Sequence, residues 1–327
     1  MSETAHVRRE GSRVVIPQRR MYDLLMAVYR AIGCSCEEAD IVTSHLIGAN
    51  LRGHDSHGVI RTPRYVEWVE QGKMLPNQSI SVEIENDVIA IVSGNYGFGQ
   101  TVALQTVDVG IDKARANGVA VTGLKEAGHV GRVGAWSERA AAANCVSIHM
   151  VNVRGSLIVA PFGAIERRGS TSPFSAGIPM PDGEDPIILD FATSTVAEGK
   201  ALVALRGGKE LPHGAVITGD GKLTSDPGYV YGELSPNSYP SPYNGAGALT
   251  SFGLHKGSGL NFFMEMFAGC MTGCGTAGAL GEPERRRFSN GMFSIYMAME
   301  YFHSDDWFAN EVRSYIEFFK SARPVEP

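Results

Sequence analysis

The stretch "VAVTGLKEAGHVGRVGAWSERAAAANCVSIHMVNV" (119–153) decides the fold class. Residues 119–124 form a short apolar run that favours a strand, and residues 127–134 form a glycine-rich loop. Residues 135–145 then favour a helix and residues 146–153 a second strand. This order of strand, loop, helix and strand is typical of layered α/β proteins, so we predict an α/β fold.

The segment before this unit predicts three helices. Pro17 starts the first of them. Ser35 and Glu38 have the spacing of a capping box at the start of the second. The third begins near Pro63. The stretch "RGHDSHGVIR" (52–61) therefore lies at a junction between two helices, where side chains can converge on a cleft.

Further strands and helices are predicted around the central unit. Residues 80–93 read as two alternating strands, and residues 99–118 as an amphipathic helix. Residues 186–193 predict a buried strand that runs into a loop, and residues 206–253 an irregular excursion with short strands. Residues 290–322 predict a strand followed by a helix.

Composition excludes several classes of protein. The chain has 327 residues and a net charge of −6, so no broad basic surface for nucleic acid is expected. No apolar run reaches the roughly 18 residues of a membrane helix, and the best candidate, residues 259–273, reads as a buried helix. The N-terminus lacks a secretory signal, and five cysteines without a CxxC motif indicate a reducing cytosol. We predict a cytoplasmic protein without nucleic-acid or membrane partners.

Two glycine patterns suggest a dinucleotide site, and neither has the full Rossmann signature. "GCGTAG" (273–278) has the G-x-G-x-x-G spacing, but it follows an apolar helix instead of a strand. "GHVGRVG" (128–134) lies between a strand and a helix, but its spacing differs. Its helix N-terminus could still hold a phosphate or a carboxylate, assisted by Arg132.

The stretch 52–61 is open to three interpretations. His54 and His57 have a spacing that allows both to bind one zinc ion, although no third ligand stands nearby. The same residues could form a polar helix cap. Acid/base chemistry is the third interpretation, because Ser56 could orient a histidine and Arg61 could clamp a carboxylate.

Three more residues stand in settings that suit a ligand. His129 lies in the glycine-rich loop, Asp190 ends an apolar strand, and Lys256 is flanked by glycines. Each has a simpler interpretation as well: an incidental loop histidine, a helix cap and a solvated lysine.

Six stretches, taken together, resemble a known family. They are "LRGHDSHGVIRTPRYVEWVEQG" (51–72), "NYGFGQ" (95–100), "GHVGR" (128–132), "GSTSPFSAGIP" (169–179), "ILDFATS" (188–194) and "GLHKGSGL" (253–260). Their order and spacing are similar to those of the type 2 malate/L-lactate dehydrogenases. That family also includes L-sulfolactate, ureidoglycolate, diketogulonate and Δ1-piperideine-2-carboxylate oxidoreductases. The resemblance covers nearly the whole chain.

The resemblance implies a non-Rossmann NAD(P)-binding fold with a mixed, seven-stranded type of sheet covered by helices. It implies a mainly helical part, residues 1–115, that packs with the strand and helix of residues 285–327. Residues 116–284 would form the NAD(P)-binding α/β domain. It also implies a homodimer with the active site near the subunit interface. The choice between NAD and NADP stays open.

The resemblance also implies roles for individual residues. Ser56 and His57 match the family's Ser-His pair, in which the histidine exchanges a proton, and His129 matches a loop histidine with an acid/base role in some members. Arg61 matches an arginine near the substrate carboxylate. The positions that match cofactor contacts are Thr171, Ser172, Asp190, Phe191, Ala192, His255 and Lys256.

Arg154 is a departure that bears on the substrate. Ureidoglycolate dehydrogenase has an aspartate at the matching position, so the arginine argues against that substrate. Arg154 would either bind a second anionic group, which favours a dicarboxylate, or form a structural ion pair.

The predicted reaction is hydride transfer between nicotinamide and C2 of a small 2-oxo or 2-hydroxy acid, with no metal. Reduction of a cyclic imine such as Δ1-piperideine-2-carboxylate or pyrroline-2-carboxylate is the alternative within the same chemistry. A zinc-dependent hydrolase that uses His54 and His57 is the alternative of a different class, and a binding module without catalysis is a third.

Overall fold

The computed structural model describes residues 7–10, 13–180, 184–233, 240–278, 288–302 and 305–325. Its strands are β1 (Arg8–Glu10), β2 (Arg13–Val15), β3 (Ser81–Glu85), β4 (Ile89–Ser93), β5 (Val119–Ala127), β6 (Cys145–Arg154), β7 (Pro173–Ile178), β8 (Ile187–Ala192), β9 (Val216–Ile217), β10 (Leu223–Thr224), β11 (Ala248–Leu249) and β12 (Ser289–Ala298). Its helices are α1 (Gln18–Ala31), α2 (Cys36–Leu51), α3 (Thr62–Glu70), α4 (Gly99–Asn117), α5 (Gly134–Ala142), α6 (Glu198–Arg206), α7 (Gly228–Tyr231), α8 (His255–Met264) and α9 (Asp305–Lys320).

A seven-stranded sheet in the order β3-β4-β5-β12-β6-β7-β8 forms the centre of the fold. Strands β4 and β5 pair in parallel, and the other neighbours in this sheet pair antiparallel. The late strand β12 inserts between β5 and β6, so the unit formed by β5, α5 and β6 encloses a strand from the far end of the chain. The predicted α/β fold with a mixed seven-stranded sheet is confirmed.

Three apolar clusters form the core. One lies between the sheet and the helices α4 and α5, and it includes the fully buried Tyr296. A second joins α1, α2 and α3 around Tyr29 and Tyr65, and a third lies within residues 158–249. The sheet combines strands from both predicted parts of the chain, because β3, β4 and β12 pair in it with β5 to β8. The division into two parts stays a prediction.

Two segments predicted to be buried are partly exposed. Strand β8 lies at the edge of the sheet, because within the described residues only β7 pairs with it. Its Leu189 is therefore 53% exposed. The segment 259–273 is helical and continues beyond α8 as a π-helical turn, Glu265–Met271. Its Phe262 and Phe263 face outward and are more than half exposed. No helix in the described parts of the chain is long and apolar enough to cross a membrane.

The start of α2 shows how a residue distant in sequence completes a local motif. Ser35 Oγ accepts the Glu38 N–H at 3.1 Å, as the capping-box spacing predicts. The reciprocal bond to the Ser35 N–H comes from Asn77 Oδ1, at 2.6 Å. The Glu38 carboxylate accepts the Asn77 N–H at 2.6 Å instead. The cap therefore ties α2 to the loop after α3.

We expect Ser35→Ala to lower the free energy of unfolding by about 1 kcal/mol, because the first turn of α2 loses the side-chain acceptor of the Glu38 N–H. Chemical denaturation followed by circular dichroism measures this change. Ser44→Ala is the matched control, since Ser44 is an exposed serine within the same helix. Equal effects of the two substitutions would contradict a capping role for Ser35.

Candidate active site

Two cavities meet at the junction that follows α2. The first has a volume of about 440 Å³ and the second about 390 Å³. The side chains of His57, Thr171 and Ala197 line both cavities, so they form the wall between them. A larger cavity of about 850 Å³, bordered by α5, β8 and α9, is lined by no histidine and is therefore a poor place for acid/base chemistry.

Two short 3₁₀ turns, Asp55–His57 and Val59–Arg61, carry the site between α2 and α3. Asn50, near the end of α2, holds them together. Its Nδ2 donates to Asp55 Oδ1 at 2.6 Å, and its Oδ1 accepts the Val59 N–H at 2.9 Å. Asp55 therefore stabilises the turn.

Ser56 orients His57. The serine is buried, and its hydroxyl lies 2.9 Å from His57 Nδ1. The other ring nitrogen of His57, Nε2, has no hydrogen bond among those identified in the described residues, so it is the nitrogen available for proton exchange with a ligand.

His129 stands beside His57. The two imidazole rings are stacked, with centroids 5.5 Å apart and planes inclined by 20°. The Tyr65 hydroxyl lies 2.6 Å from His129 Nδ1, and Gln100 Nε2 donates to that hydroxyl at 3.0 Å. His129 lines the second cavity, so the structure brings both predicted histidines to one place.

Both histidines are held in the neutral state. Burial lowers the pKa of His57 well below 6.5, and the positive charge of Arg61 adds to the effect. Burial and the Arg61 charge lower the pKa of His129 in the same way. A neutral imidazole at neutral pH can accept a proton from an alcohol or donate a hydrogen bond from its N–H.

Arg61 is fixed by two bonds and lines the second cavity. Its Nε donates to the Ser56 carbonyl at 2.6 Å, and its Nη2 contacts Glu198 Oε2 at 3.0 Å. Tyr231 donates to the other oxygen of Glu198 at 2.6 Å, so the carboxylate itself is held in place. Arg154 lines neither of these two cavities, although its neighbours Val153 and Gly155 line the second.

The predicted cofactor residues separate into three groups. Thr171, Asp190, Phe191 and Ala192 line the first cavity. Ser172 is fully buried, and its hydroxyl donates to the buried Glu265 at 3.4 Å. His255 and Lys256 begin α8, are exposed, and line neither of the two cavities at His57.

The glycine-rich loop does not form the predicted phosphate site at the start of α5. The Gly134 N–H donates to Asp190 Oδ2 at 2.9 Å, so the carboxylate occupies that position. The Arg132 N–H donates to His45, and its guanidinium pairs with Glu138 at 2.6 Å. The phosphate interpretation was wrong because internal acceptors already use these donors. Burial raises the pKa of Asp190.

The described residues contain no group of three or more His, Cys, Asp or Glu side chains arranged to hold a metal ion. The zinc interpretation of His54 and His57 therefore finds no third ligand in that part of the chain.

The residues that hold the site and that sequence reasoning missed include Asn50, Tyr65, Gln100 and Glu198. Tyr65 lies four residues after Arg61, at the spacing that brings side chains together on one face of a helix. This spacing could have indicated that Tyr65 lies near the site. An aromatic residue at helical spacing is also typical of a core, which is why the pattern did not distinguish the two roles. Gln100 ends the stretch "NYGFGQ", which was noted for its resemblance to the family but was given no role at the site. Glu198 carried no sequence signal, since it reaches the site from a distant element.

His57 lies in the wall shared by two cavities, and His129 and Arg61 line the second of them, an arrangement that suits acid/base chemistry. Residues 16–327 match the family model described as malate/L-lactate dehydrogenase. The chain belongs to this family, and it is therefore an oxidoreductase.

Curated relatives and solved structures agree with this family. The chain is 37% identical over 253 residues to hydroxycarboxylate dehydrogenase B of Escherichia coli (strain K12), covering 77% of this chain and 67% of that protein. It is 32% identical over 311 residues to a malate dehydrogenase of Pyrococcus horikoshii, which covers 94% of this chain and 83% of that protein.

The fold is similar to the structure of malate dehydrogenase from P. horikoshii, with a TM-score of 0.80 and 27% identity. The match covers 99% of this chain and 84% of that one. It is also similar to Δ1-piperideine-2-carboxylate reductase from Pseudomonas syringae, with a TM-score of 0.79, 27% identity and coverage of 95% and 90%.

Gly199 lets α6 approach the turn that carries the site. A Cβ atom at this position would lie 2.6 Å from Ser56 Cβ and 2.7 Å from Arg61 Nη2. We expect Gly199→Ala to shift both residues and to lower kcat/KM by about tenfold to a hundredfold, because small misplacements of catalytic groups are costly.

Steady-state kinetics measures this effect. Gly259→Ala in α8 is the control, since a Cβ there meets no atom within 4 Å. Unchanged kinetics of Gly199→Ala, in a variant that folds normally, would show that the packing of α6 does not position the site.

Proposed function

We propose that this enzyme transfers a hydride between a nicotinamide dinucleotide, NAD or NADP, and C2 of a small 2-hydroxy or 2-oxo acid. The observation that carries the proposal is the position of His57 in the wall shared by the two cavities. A group at that wall can reach ligands bound on both sides of it. The first cavity would take the nicotinamide half of the cofactor, and the second would take the acid.

The lining of the first cavity suits a nicotinamide nucleotide. Phe191 and Phe252, with ring centroids 5.3 Å apart, offer an apolar wall for a flat ring. Thr171 and Asp190 offer polar groups for a carboxamide or a ribose, and Lys200 offers a positive charge for a phosphate. His255 and Lys256 remain proposed contacts for more distant parts of the cofactor. Ser172, next to Thr171 in the chain, also remains a proposed cofactor residue.

The second cavity suits a small carboxylic acid. Arg61 would bind the C1 carboxylate, since a guanidinium matches a carboxylate in charge and shape. Its bonds to Ser56 and Glu198 hold it in position before the acid arrives. Arg64 and Lys73 also line this cavity, which gives it a cationic rim, and Arg154 remains a proposed contact for a second anionic group.

His57 would exchange the proton during the reaction. In the direction of oxidation, neutral Nε2 accepts the proton of the 2-hydroxyl group. In the direction of reduction, the protonated ring returns it to the oxygen at C2. The bound nicotinamide supplies or accepts the hydride at C4. Ser56 keeps the His57 ring oriented, and His129 contacts the same oxygen.

A second candidate is reduction of a cyclic imine with a carboxylate. The similarity to the Δ1-piperideine-2-carboxylate reductase structure favours it. The same Arg61 would bind the carboxylate, and the same hydride transfer would reduce a C=N bond in place of a C=O bond.

The absorbance of NADH and NADPH tests both candidates with one panel: pyruvate, oxaloacetate, 2-oxoglutarate, sulfopyruvate, diketogulonate and Δ1-piperideine-2-carboxylate. We expect oxidation of one dinucleotide with at least one 2-oxo acid, and a loss of about a hundredfold or more in His57→Ala. Oxidation with the imine alone would favour the second candidate. Binding of neither dinucleotide would contradict the proposal.

We also propose a homodimer in the cytoplasm. All five cysteines are free thiols, which suits a reducing compartment. Helix α9 carries an exposed aromatic face whose side chains are 53% to 74% exposed: Trp307, Tyr315, Phe318 and Phe319. Exposed apolar surface of this kind is typical of an interface, and a second copy of the chain is its proposed partner.

We expect light scattering to give about twice the chain mass of 35.1 kDa for the wild-type protein. The double substitution Phe318→Glu and Phe319→Glu places charges in the apolar face and should yield monomers. Exposed Lys209→Glu is the control. A dimer that survives the double substitution would exclude this face as the interface.

A further inference from the structure

The cavity proposed for the acid is larger than a three-carbon acid needs. Its volume of about 390 Å³ lies within the range of roughly 300–1,000 Å³ that is typical of pockets for drug-sized ligands. His57, His129 and Arg61 are three of the residues that line it. An acid as small as pyruvate, bound to these three residues, leaves much of the cavity unfilled. The rest of the lining therefore bears on the side chain of the substrate.

Aromatic and aliphatic side chains form much of that remaining lining. Trp68, Tyr243 and Phe288 all line the cavity, together with Val153 and Ile158. The rings of Trp68 and Phe288 pack against each other, with centroids 4.4 Å apart and planes inclined by 31°. Both side chains are half-buried, so each keeps a surface that a ligand can contact. This part of the cavity suits a flat apolar group.

Packed rings connect this aromatic wall to the two histidines of the site. The ring of His129 lies beside that of Tyr65, and the ring of Tyr65 lies beside that of Trp68, with centroids 5.9 Å apart in both pairs. Tyr65 is fully buried, whereas His129 and Trp68 both line the cavity. One buried ring therefore links the reaction centre to the aromatic wall, and a group attached to C3 of a bound acid can reach that wall.

Arg167 holds the segment that brings Tyr243 to the cavity. Its guanidinium donates to the carbonyl oxygens of Pro242, Gly245 and Gly247 at 2.5 to 2.7 Å. Arg167 itself is half-buried and lines neither of the two cavities at His57. Because a guanidinium presents its donors in a rigid plane, these bonds fix the backbone on both sides of Tyr243. Arg167 is therefore a positioning residue for the Tyr243 ring.

We propose that Trp68, Phe288 and Tyr243 form a pocket for an aromatic ring, and that the substrate is a 2-oxo or 2-hydroxy acid with such a ring on C3. This inference rests on the proposed function and names its substrate class. With phenylpyruvate as the example, Arg61 binds the carboxylate and the phenyl ring contacts the aromatic wall. The nicotinamide delivers a hydride to C2 and His57 delivers a proton to the oxygen, so phenylpyruvate becomes 3-phenyllactate.

The cationic rim of the same cavity suits a different side chain, a second carboxylate. Arg64 and Lys73 line the cavity, and Arg64 pairs with Glu67 at 2.7 Å. The aromatic acid is favoured because three rings lie in the same lining. The carboxylate of Glu198 also lines the cavity, and its negative charge opposes a second anion. A dicarboxylate is therefore the rival that the experiment has to separate from an aromatic acid.

Kinetics with matched substrates tests the pocket. We expect kcat/KM for phenylpyruvate to exceed that for pyruvate and for oxaloacetate by about tenfold or more. Trp68→Ala and Tyr243→Ala should each lower kcat/KM for phenylpyruvate by about tenfold, chiefly through KM, and leave that for pyruvate within about threefold. Tyr243→Phe keeps the ring and should behave as wild type. Arg167→Lys should raise KM for phenylpyruvate alone.

Tyr229→Ala is the matched control for Tyr243→Ala. Tyr229 is a similarly exposed tyrosine that lines neither of the two cavities at His57. Its replacement should change kcat/KM for neither substrate. Tyr243 is 50% exposed, so its replacement tests the pocket even where Trp68→Ala does not fold.

Binding has a readout that needs no turnover. Racemic 3-phenyllactate is titrated into the enzyme without a dinucleotide, and tryptophan fluorescence is followed. The chain has three tryptophans, of which Trp136 is buried and Trp307 lies in α9. We expect a saturable change that is absent in Trp68→Phe, since only Trp68 lines the cavity. L-Lactate at the same concentrations should give no change.

The results separate this inference from the proposed function. A preference for oxaloacetate that falls in Lys73→Ala would overturn the aromatic class in favour of a dicarboxylate. Equal kcat/KM for phenylpyruvate and pyruvate, or a Trp68→Ala enzyme that loses activity on both alike, would also overturn it. Failure of the wild-type enzyme to oxidise either dinucleotide with any acid would overturn the proposed function, while the fluorescence titration would still test the ring pocket.

Discussion

The close packing of α6 against the turn at residues 52–61 is the constraint on which the site depends. Gly199 has no side chain, so α6 can lie close to this turn. Glu198 accepts a hydrogen bond from Arg61 across the contact. This contact places His57 in the wall between two cavities. Without it Arg61 would lose the Glu198 carboxylate that helps to orient it.

The surrounding fold supplies the rigidity that this wall requires. The loop of His129 follows β5, a strand paired on both sides in the central sheet. Asn290 of β12 accepts the Val130 N–H at 2.9 Å and so ties the loop to its neighbouring strand. The two histidines thus come from two parts of the fold, the junction between α2 and α3 and the loop that follows β5, and their rings stack where these parts meet.

The sequence alone predicts which site residues lie together when those residues are close in the chain. Ser56, His57 and Arg61 lie within six positions, so their proximity follows from chain geometry alone. Glu198 and Gln100 come from elements far along the chain, and only the tertiary packing brings them to the site. The exposure of β8 was not predicted for a similar reason. An apolar strand at the edge of a sheet can have the same sequence pattern as a strand at its centre, and only the tertiary structure distinguishes them.

The most direct test of the account is a crystal structure with a nicotinamide dinucleotide and an unreactive analogue of a 2-oxo acid, such as oxamate. The account predicts the nicotinamide ring in the cavity lined by Phe191 and Asp190. It predicts the analogue's carboxylate on Arg61, and His57 within hydrogen-bond distance of the analogue's second oxygen. Both ligands on one side of His57, or a dinucleotide bound away from Phe191, would contradict it.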